Sequence, residues 1–298
     1  MEEGKLLFVY NPNAGKGIIK KHLSDIIEMF CQNNYVVTVY ATQKEGDAAK
    51  IVKENGDCYD RVVCCGGDGT LNDVTDGMMH LDNRPLCGYI PAGTVNDFAH
   101  SFKLPQNMLD AAHVAIDGES CMCDVGELNG DYFDYIAAFG AFTDVSYETP
   151  QVSKNILGKL AYFLEGVKKL GSIRKYDVTV TIEDEVISDK LIYGMITNSF
   201  SVAGFLSLFD DDVALDDGYL EAFFIKAPKN IMEFQLIINA LLSGNVNCEL
   251  FYYRHIKRIE IECETPLKWT VDGEFGGEYT KAVIVNHKGA IPFVRGKS

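Results

Sequence analysis

The amino-acid sequence predicts an α/β plus β fold, in which an N-terminal doubly wound α/β domain precedes a C-terminal antiparallel β-sandwich domain. In the first part of the chain, short apolar runs alternate with segments of helical periodicity. Beyond Cys121, strand-like runs separated by turns dominate. We therefore place the first domain at residues 1–123 and the second at residues 124–298, and we leave open a return of the last strand to the first domain.

The first domain is predicted from four strand–helix repeats. Its strands are expected at Lys5–Tyr10, Val36–Ala41, Val62–Cys65 and Leu86–Ile90. Its helices are expected at Ile18–Asn33, at Asp47–Glu54, from Thr70 to Met79, and from Asn96 onward. Such alternation is typical of a parallel sheet with helices on both faces. Ligands bind these sheets at the carboxyl ends of the strands, where the glycine-rich turns of this sequence fall.

The second domain is predicted from runs that are mostly extended. Asn129-Gly130 lies between two such runs and is a strong signal for a two-residue hairpin turn. Further strands are expected at Tyr176–Glu183, Leu191–Asn198, Tyr219–Ile225, Ile256–Glu262, Leu267–Val271 and Ala282–Asn286, and helices at Lys154–Leu170 and Ile231–Leu242. Alternating strands with turns between them indicate an antiparallel sandwich or barrel.

The composition excludes several classes of protein. The formal net charge of −16 argues against a nucleic-acid partner and against broad adhesion to anionic membranes. The nine cysteines are odd in number and lack metal-ligand spacing, so we expect reduced thiols rather than a disulfide framework. The acidic N-terminus does not resemble a secretory signal, and no apolar run is long enough to span a bilayer. We expect a soluble, cytoplasmic protein without a transmembrane segment.

The strongest functional signal lies in residues 62–73. The buried run Val62–Cys65 ends at the glycine turn Gly66–Gly69, and Thr70 is expected to cap a helix. Glycines let the backbone bend sharply and let a ligand approach it, and a helix N-terminus offers N–H groups to an anion. This order of elements predicts a phosphate pocket. Asp68 is a carboxylate in that pocket, which is better explained by a metal ion or a proton than by phosphate.

Part of this pattern recurs downstream. The segment Gly69–Asp73 is echoed by Gly93–Asp97, again after an apolar run, so we expect two helix N-termini that converge on one ligand. For Asp73 and Asp97 a place in the first helical turn is the structural explanation, because negative charge is favourable there, and we adopt it for Asp73. Asp68 is expected to precede the cap, and we therefore favour a functional role for it.

Three further segments have both a structural and a functional interpretation. Asn11–Gly17 lacks the P-loop pattern and taken alone is an ordinary turn, but beside the two Gly-Thr turns it is a third phosphate-facing loop. Ala214–Leu220 is a turn into a strand, and it is also compatible with a hard-cation site. Asp272-Gly273-Glu274 fits a hairpin tip, and one of its acids becomes a general base only if it lies near the phosphate loops.

Five motifs together resemble one family. They are Asn11-Pro12-x-x-Gly15, Gly66-Gly67-Asp68-Gly69-Thr70-Leu71-Asn72, Pro91-x-Gly93-Thr94-x-Asn96-Asp97-Phe98-Ala99, Asp216-Asp217-Gly218 and Asp272-Gly273-Glu274. In this order they resemble the bacterial diacylglycerol kinase-like lipid kinases, relatives of the sphingosine and ceramide kinases. The resemblance covers essentially the whole chain. It implies a nucleotide-binding α/β domain, a β-sandwich lipid-substrate domain and an active site in the cleft between them.

The resemblance also implies a role for individual residues. ATP contacts would come from Asn11, Pro12, Asn13, Ala14, Gly15, Thr42, Gly66, Gly67, Asp68, Gly69, Thr70, Leu71, Asn72 and Thr94. Asp68 and Asp97 would hold or organise the catalytic Mg²⁺, and a structural Mg²⁺ would be bound by the Ala214 carbonyl, the Asp217 carboxylate and the Tyr219 carbonyl. Asp272 and Glu274 would lie near the acceptor hydroxyl. Either could be the proton acceptor, and Glu274 is favoured.

A lipid kinase without a transmembrane segment has to reach its substrate at a membrane surface. The stretch Lys154–Lys175 is conspicuously basic and could face a membrane or be a solvated helix, and Phe200–Phe209 could line a lipid cleft or be core. The family implies a homodimer as one possibility. Two alternatives stay open, namely an NAD kinase-like phosphotransferase and a non-catalytic nucleotide- or lipid-binding regulator.

Overall fold

The structure is a computed structural model that describes residues 3–94, 96–141, 173–198, 215–243 and 248–296. The predicted helix Lys154–Leu170, the apolar segment Phe200–Phe209 and Ala214 lie outside these residues. The described part is a mixed α/β fold that is rich in strands. It divides into two compact units, which are Met1–Val125, Leu215–Asp217 and Lys288–Ser298 in the first, and Gly126–Ala214 and Gly218–His287 in the second.

The first unit contains a parallel sheet. Its strands are β1 (Gly4–Tyr10), β2 (Tyr35–Ala41), β3 (Arg61–Gly66) and β4 (Leu86–Pro91), and its helices are α1 (Ile19–Gln32), α2 (Asp47–Asn55), α3 (Asp68–Met79), α4 (Asp97–Ser101) and α5 (Met108–Asp117). Strands β2, β1, β3 and β4 pair in that order, each pair parallel. The parallel arrangement predicted from strand–helix alternation is confirmed.

The core of the first unit follows the two-residue alternation of its strands. Leu6 and Phe8 of β1 pack with Ile26 and Phe30 of α1 and with the alanines of α5. The intervening residues of β1 are also buried and point to the opposite face of the sheet. On that side α3 contacts β3 and α2 packs on α3. Helices therefore cover both faces, and the strand ends remain for the loops.

The second unit is built from antiparallel pairs. Its elements are the end of β5 (Glu119–Leu128), β6 (Asp131–Phe133), β7 (Ile136–Gly140), β8 (Tyr176–Ile182), β9 (Glu185–Thr197), β10 (Leu220–Lys226), α6 (Ile231–Ser243), β11 (Phe251–Ile256), β12 (Arg258–Val271) and most of β13 (Glu274–Arg295). The strands pair in the order β11–β10–β9–β7–β12–β13, and β8 pairs with both β9 and β12. The predicted antiparallel pairing is confirmed.

Two strands continue from one unit into the other. Strand β5 passes from the first unit into the second after Val125, two residues beyond the expected boundary, and β13 passes back after His287. In the first unit the end of β13 pairs parallel with β4 through Phe293 and Cys87. Phe293 also packs on Phe98 and Phe102, with ring centroids 4.9 and 5.4 Å apart.

The hairpin at Asn129-Gly130 forms as predicted. Leu128 pairs with Asp131, so two residues make the turn. Both turn residues have positive φ, 50° for Asn129 and 103° for Gly130, as this class of tight turn requires. The Asn129 side chain accepts a hydrogen bond from the Val283 amide at 2.8 Å, which fixes the hairpin to β13.

Candidate active site

Three loops of the first unit lie at the same edge of its parallel sheet. They follow β1, β3 and β4, which are neighbours in the sheet. The Asn11 amide donates to the Cys65 carbonyl at 2.9 Å, and the Ala92 amide donates to the Gly66 carbonyl at 2.7 Å. The hydrogen bonding of the sheet therefore continues into the loops, and it holds the first residues of neighbouring loops beside each other.

The loops approach each other at glycines. A Cβ on Gly15 would collide with the Ala92 carbonyl oxygen, and the φ of Gly15 is +53°. A Cβ on Gly93 would lie 2.7 Å from the Cα of Gly67. Any side chain at these positions would push the loops apart. The glycines are thus needed for the close approach of the three loops, as well as for the turns themselves.

Helix α3 begins earlier than predicted. Its N-cap is Gly67, without a side-chain cap, and Asp68 is the first helical residue. The prediction that Thr70 caps this helix is therefore wrong. Thr70 is instead nearly buried inside the first turn, and the Asn11 side-chain amide lies 3.5 Å from its hydroxyl. The hydroxyl of Thr70 packs under Gly66 and joins the first two loops.

This start of α3 changes the argument for Asp68. We favoured function because Asp68 was expected to precede the helix, but it lies in the first turn, where any carboxylate is favourable. Its Oδ1 is nevertheless buried at the carboxyl edge of β3. The two Gly-Thr motifs also differ. Gly69-Thr70 lies inside α3, whereas Gly93-Thr94 precedes α4, a helix of five residues.

The N-terminus of α3 is open to a ligand. The first amides of a helix have no partner within the helix. A Cβ on Gly69 would meet nothing within 4 Å, so the backbone here borders open space. Thr94 is exposed, and Asp97 is the first residue of α4. The edge therefore offers backbone donors and room for an anion.

The loop after β4 is held by Asn96, a residue that the sequence motif contained but to which we gave no role. Its Oδ1 accepts from the Gly93 amide at 2.9 Å and from the Tyr89 hydroxyl at 3.2 Å, and its Nδ2 donates to the Gly93 carbonyl at 3.0 Å. The φ of Asn96 is +54°, which asparagine tolerates better than most residues. The Asn-turn pattern could have indicated this role.

Thr42 lies at the same sheet edge, after β2. It is buried, and its amide donates to the Tyr10 carbonyl at 3.0 Å. Cys65, by contrast, is not a candidate nucleophile, because burial raises the pKa of its thiol to about 12. All nine cysteines are free thiols.

Asp73 has a different role from the one predicted. It was expected in the first turn of its own helix, but it lies in the second turn of α3 and accepts a hydrogen bond from the Gly46 amide at 3.1 Å. Gly46 is the N-cap of α2, so Asp73 ties α3 to the start of α2. Burial raises the pKa of its carboxyl to about 6.

In the second unit, Asp272 and Glu274 form the tip between β12 and β13. The Asp272 carboxylate accepts hydrogen bonds from the Asp134, Tyr135 and Ile136 amides at 2.9, 3.1 and 2.8 Å. The Asp272 amide returns a bond to the Ile136 carbonyl at 2.9 Å. Asp272 thus anchors the segment between β6 and β7. Glu274 is exposed.

The anchored segment is held from its other side as well. The Thr197 hydroxyl donates to the Tyr135 carbonyl at 2.6 Å, and the Asn198 amide donates to the same carbonyl at 3.1 Å. Thr197 and Asn198 are buried. Sequence reasoning missed this support, because nothing in the local pattern relates residue 197 to residue 272.

The acidic segment before β10 is described from Leu215 onward. The Leu215 carbonyl accepts from the Asp124 amide at 2.8 Å, and the Asp217 carbonyl accepts from the Lys288 ammonium at 3.0 Å. Tyr219 is partly exposed, with the Lys257 ammonium 4.9 Å from its ring centroid. A cation site here stays a prediction.

The described residues contain no group of three or more His, Cys, Asp or Glu side chains arranged to hold a metal ion. Mg²⁺ keeps several waters and is commonly bound by one or two carboxylates together with substrate phosphates. A single carboxylate, Asp68, at the edge where phosphates would lie is compatible with such a site. Across the described helices, none is long and apolar enough to cross a membrane.

The chain is similar to known proteins along nearly its whole length. The family description "Diacylglycerol kinase catalytic domain" matches residues 5–128. The diacylglycerol kinase of Bacillus subtilis (strain 168) is 35% identical over 272 residues, which cover 90% of this chain and 89% of that protein. The diacylglycerol kinase of Staphylococcus aureus (strain Newman) is 36% identical over 275 residues, with coverage of 91% and 86%.

Solved structures agree with the sequence comparison. The crystal structure of a diacylglycerol kinase from Bacillus anthracis str. Sterne has a TM-score of 0.78 at 24% identity, with 99% of this chain and 98% of that chain covered, and it supports the fold alone. A second structure from the same organism has a TM-score of 0.83 at 27% identity, with coverage of 99% and 96%. The sequence identity over nine-tenths of the chain, together with the glycine loops, shows that this chain belongs to the diacylglycerol kinase family.

Proposed function

We propose that this protein is an ATP- and Mg²⁺-dependent lipid kinase that phosphorylates the hydroxyl of diacylglycerol or a related lipid. The observation that carries the proposal is the meeting of three glycine loops beside the N-terminus of α3, with open space at Gly69. An anion that carries several phosphates fits such an edge better than an uncharged ligand does. The relatives named as diacylglycerol kinases supply the acceptor class.

In this proposal the first unit binds the nucleotide. Backbone amides of Gly67–Gly69 would donate to the phosphates, as would those of the loops after β1 and β4. Asn96 would keep the last of these loops in its bound shape, since it already bonds both the amide and the carbonyl of Gly93. Thr42 and Thr94 would contact the remaining part of the nucleotide.

Asp68 and Asp97 would hold or organise the catalytic Mg²⁺, and Asp217 would be a ligand of a second, structural Mg²⁺. When bound, the catalytic ion offsets negative charge on the phosphoryl group. The carboxylate of Asp68 contributes a fixed oxygen at the edge where this charge develops. Because Asp68 lies in the first turn of α3, the helix fixes the orientation of that oxygen, and no loop has to be ordered for this purpose.

The second unit would be the lipid-substrate β-sandwich domain. Glu274 is the better candidate for the proton acceptor, because the Asp272 carboxylate already accepts three backbone amides. Asp272 would act as a positioning residue for the tip that carries Glu274. The enzyme would work in the cytoplasm, at the surface of a membrane; its nine thiols without disulfides suit that compartment.

The test is phosphate transfer from labelled ATP to a panel of acceptors: diacylglycerol, phosphatidylglycerol, sphingosine, ceramide and NAD. We expect Mg²⁺-dependent labelling of diacylglycerol or a close relative. Asp68→Asn should lower turnover by orders of magnitude while its circular dichroism stays that of the wild type. Asp76→Asn, in the same helix, is the matched control. Transfer to NAD alone, or no transfer with ATP still bound, would contradict the proposal.

A further inference from the structure

Helix α6 of the second unit has an unusual surface. Its inner side packs Ile237 and Leu241 against Phe223 and Phe251. Its outer side is also largely apolar, with 51% of Ile231, 68% of Met232 and 58% of Leu236 exposed. A helix that is apolar on both sides is normally covered on both sides.

The outer side of α6 carries no charge. One stripe, with the spacing i, i+1, i+4, i+5 and i+8, contains the exposed residues Ile231, Met232, Gln235, Leu236 and Asn239. The single charged residue of the helix, Glu233, caps its start by accepting from the Lys229 amide at 2.7 Å. In a chain in which 23% of the residues are charged, an exposed helix face without charges indicates a binding surface.

Basic side chains border the start of this face. Lys229 is exposed two residues before α6, and the Lys175 ammonium donates to the Pro228 carbonyl at 3.2 Å. Arg174 is also exposed, with its guanidinium 5.0 Å from the centre of the Tyr176 ring. The formal charge of the whole chain is −16, so this group of cations is opposite in sign to the molecule that carries it.

We propose that the outer side of α6 is a docking surface for a bilayer that contains anionic phospholipid. Ile231, Met232 and Leu236 enter the boundary between headgroups and acyl chains, and Lys229 and Lys175 meet lipid phosphates. The bilayer is favoured over a protein partner because an apolar face bordered by cations matches an apolar interior beneath anionic headgroups. The biological purpose of the surface rests on the proposed function, since a lipid kinase has to work at a bilayer.

The test is flotation of the full chain with vesicles of phosphatidylcholine alone and of phosphatidylcholine with phosphatidylglycerol at about 7:3. We expect binding to the mixed vesicles, and a loss of about tenfold or more in the double variant Met232→Gln, Leu236→Gln. Val186→Gln is the matched control, because 62% of Val186 is exposed on β9 of the same unit. Lys229→Glu should weaken binding to the mixed vesicles, whereas Lys53→Glu on α2 should not.

Two results would overturn the proposal, namely no vesicle binding by the wild type and equal vesicle binding by the double variant. If the wild type is a dimer and the double variant, with equal vesicle binding, is a monomer, the face is assigned to a second copy. Phosphorylation of the short-chain, dispersed dioctanoylglycerol separates this proposal from the proposed function. The double variant should retain that activity. If the wild type binds vesicles through α6 but phosphorylates no lipid, the proposed function is wrong and the proposal of a docking surface is still supported.

Discussion

Asp272 and Glu274 are separated by one glycine, but the structure gives their carboxylates different surroundings. Asp272 accepts three backbone amides of the segment between β6 and β7 and has a φ of +47°. Glu274 is exposed at the first position of β13. The sequence motif left either acid as the proton acceptor, with Glu274 favoured. The contacts of Asp272 favour a structural role as an anchor, and Glu274 is left as the candidate proton acceptor.

We therefore expect the two conservative substitutions to differ in kind. Asp272→Asn replaces an acceptor oxygen with an amino group that faces backbone amides, and should lower the free energy of unfolding by about 1–3 kcal/mol. Glu274→Gln should leave that free energy within about 0.5 kcal/mol and lower kcat about 10²–10⁴-fold. Urea unfolding and steady-state kinetics measure both. Equal loss of stability in the two variants would contradict this assignment.

Asp73 predicts a dependence of stability on pH. Burial raises the pKa of its carboxyl to about 6 in the folded chain, above the ordinary value of 3.8. Between pH 4 and pH 6 the Asp73 carboxyl is therefore protonated more often in the folded state than in the unfolded state. The free energy of unfolding falls as the pH rises through this range. Its cost is fully present at neutral pH.

Asp73→Asn should therefore raise the free energy of unfolding above pH 6 by about 1 kcal/mol, a value reduced for the partial exposure of the side chain. The difference from the wild type should shrink toward pH 4. Asp82→Asn, on the surface after α3, controls for the loss of one negative charge. Urea unfolding at several pH values measures the effect. A gain that is constant from pH 4 to 8 would contradict this account.

At the scale of elements, helix α3 contains two glycines in opposite environments. A Cβ at Gly69 meets nothing within 4 Å, whereas one at Gly77 would lie 2.6 Å from the Ala49 carbonyl oxygen and 2.8 Å from the Val52 Cβ. Gly77 is thus required for the packing of α2 on α3. No packing contact of this kind explains the glycine at position 69. We therefore expect Gly69 to allow a ligand to approach the backbone.

This contrast gives a matched pair of variants in one helix. Gly69→Ala should raise stability by up to about 1 kcal/mol through helix propensity, and should weaken ATP binding by filling the open space. Gly77→Ala should lower stability by about 1–3 kcal/mol and leave ATP affinity unchanged in the folded fraction. Thermal unfolding and nucleotide titration measure the two effects. Full ATP affinity in Gly69→Ala would argue against phosphate at the start of α3.

The elements that the sequence predicted well have strong local signals, and those it missed do not. The strands of the first unit and the Asn129-Gly130 hairpin followed from apolar runs and turn chemistry. Helix α5 was missed because its buried face is made of small residues, although Asn107 caps it by accepting from the Leu109 and Asp110 amides. Strand β11 was missed because its interior residues are half-buried or exposed, without clear alternation, and only Phe251 and Ile256 at its ends are buried.

The early start of α3 shows a further limit. Thr70 is a good cap by type, but the helix begins at Asp68, and the Thr70 side chain packs against Gly66, where a Cβ would collide with it. The candidate site was predictable as a set of loops, because parallel strands bring their carboxyl ends to one edge. The anchor between Asp272 and the Asp134–Ile136 amides was not, since it joins residues more than a hundred positions apart.

At the scale of the whole molecule, the two units should respond differently to nucleotide. If ATP binds the loops of the first unit, hydrogen exchange should slow in β1, β3, β4 and α3 on addition of ATP and Mg²⁺. The amides of β8, β9 and β12 should change little. Exchange followed by mass spectrometry measures each element in the intact chain. Slower exchange confined to the second unit would assign the nucleotide there.

Strand β13 bears on how the polypeptide is made. Its residues up to His287 belong to the second unit, and those from Lys288 belong to the first, where Phe293 packs on Phe98 and Phe102. A ribosome delivers these residues only after everything before them has been translated. Most of the first unit emerges early, but its sheet is incomplete until the end of β13 has been translated. Until then the edge of β4 that pairs with β13 is exposed, and a chaperone would shield this edge.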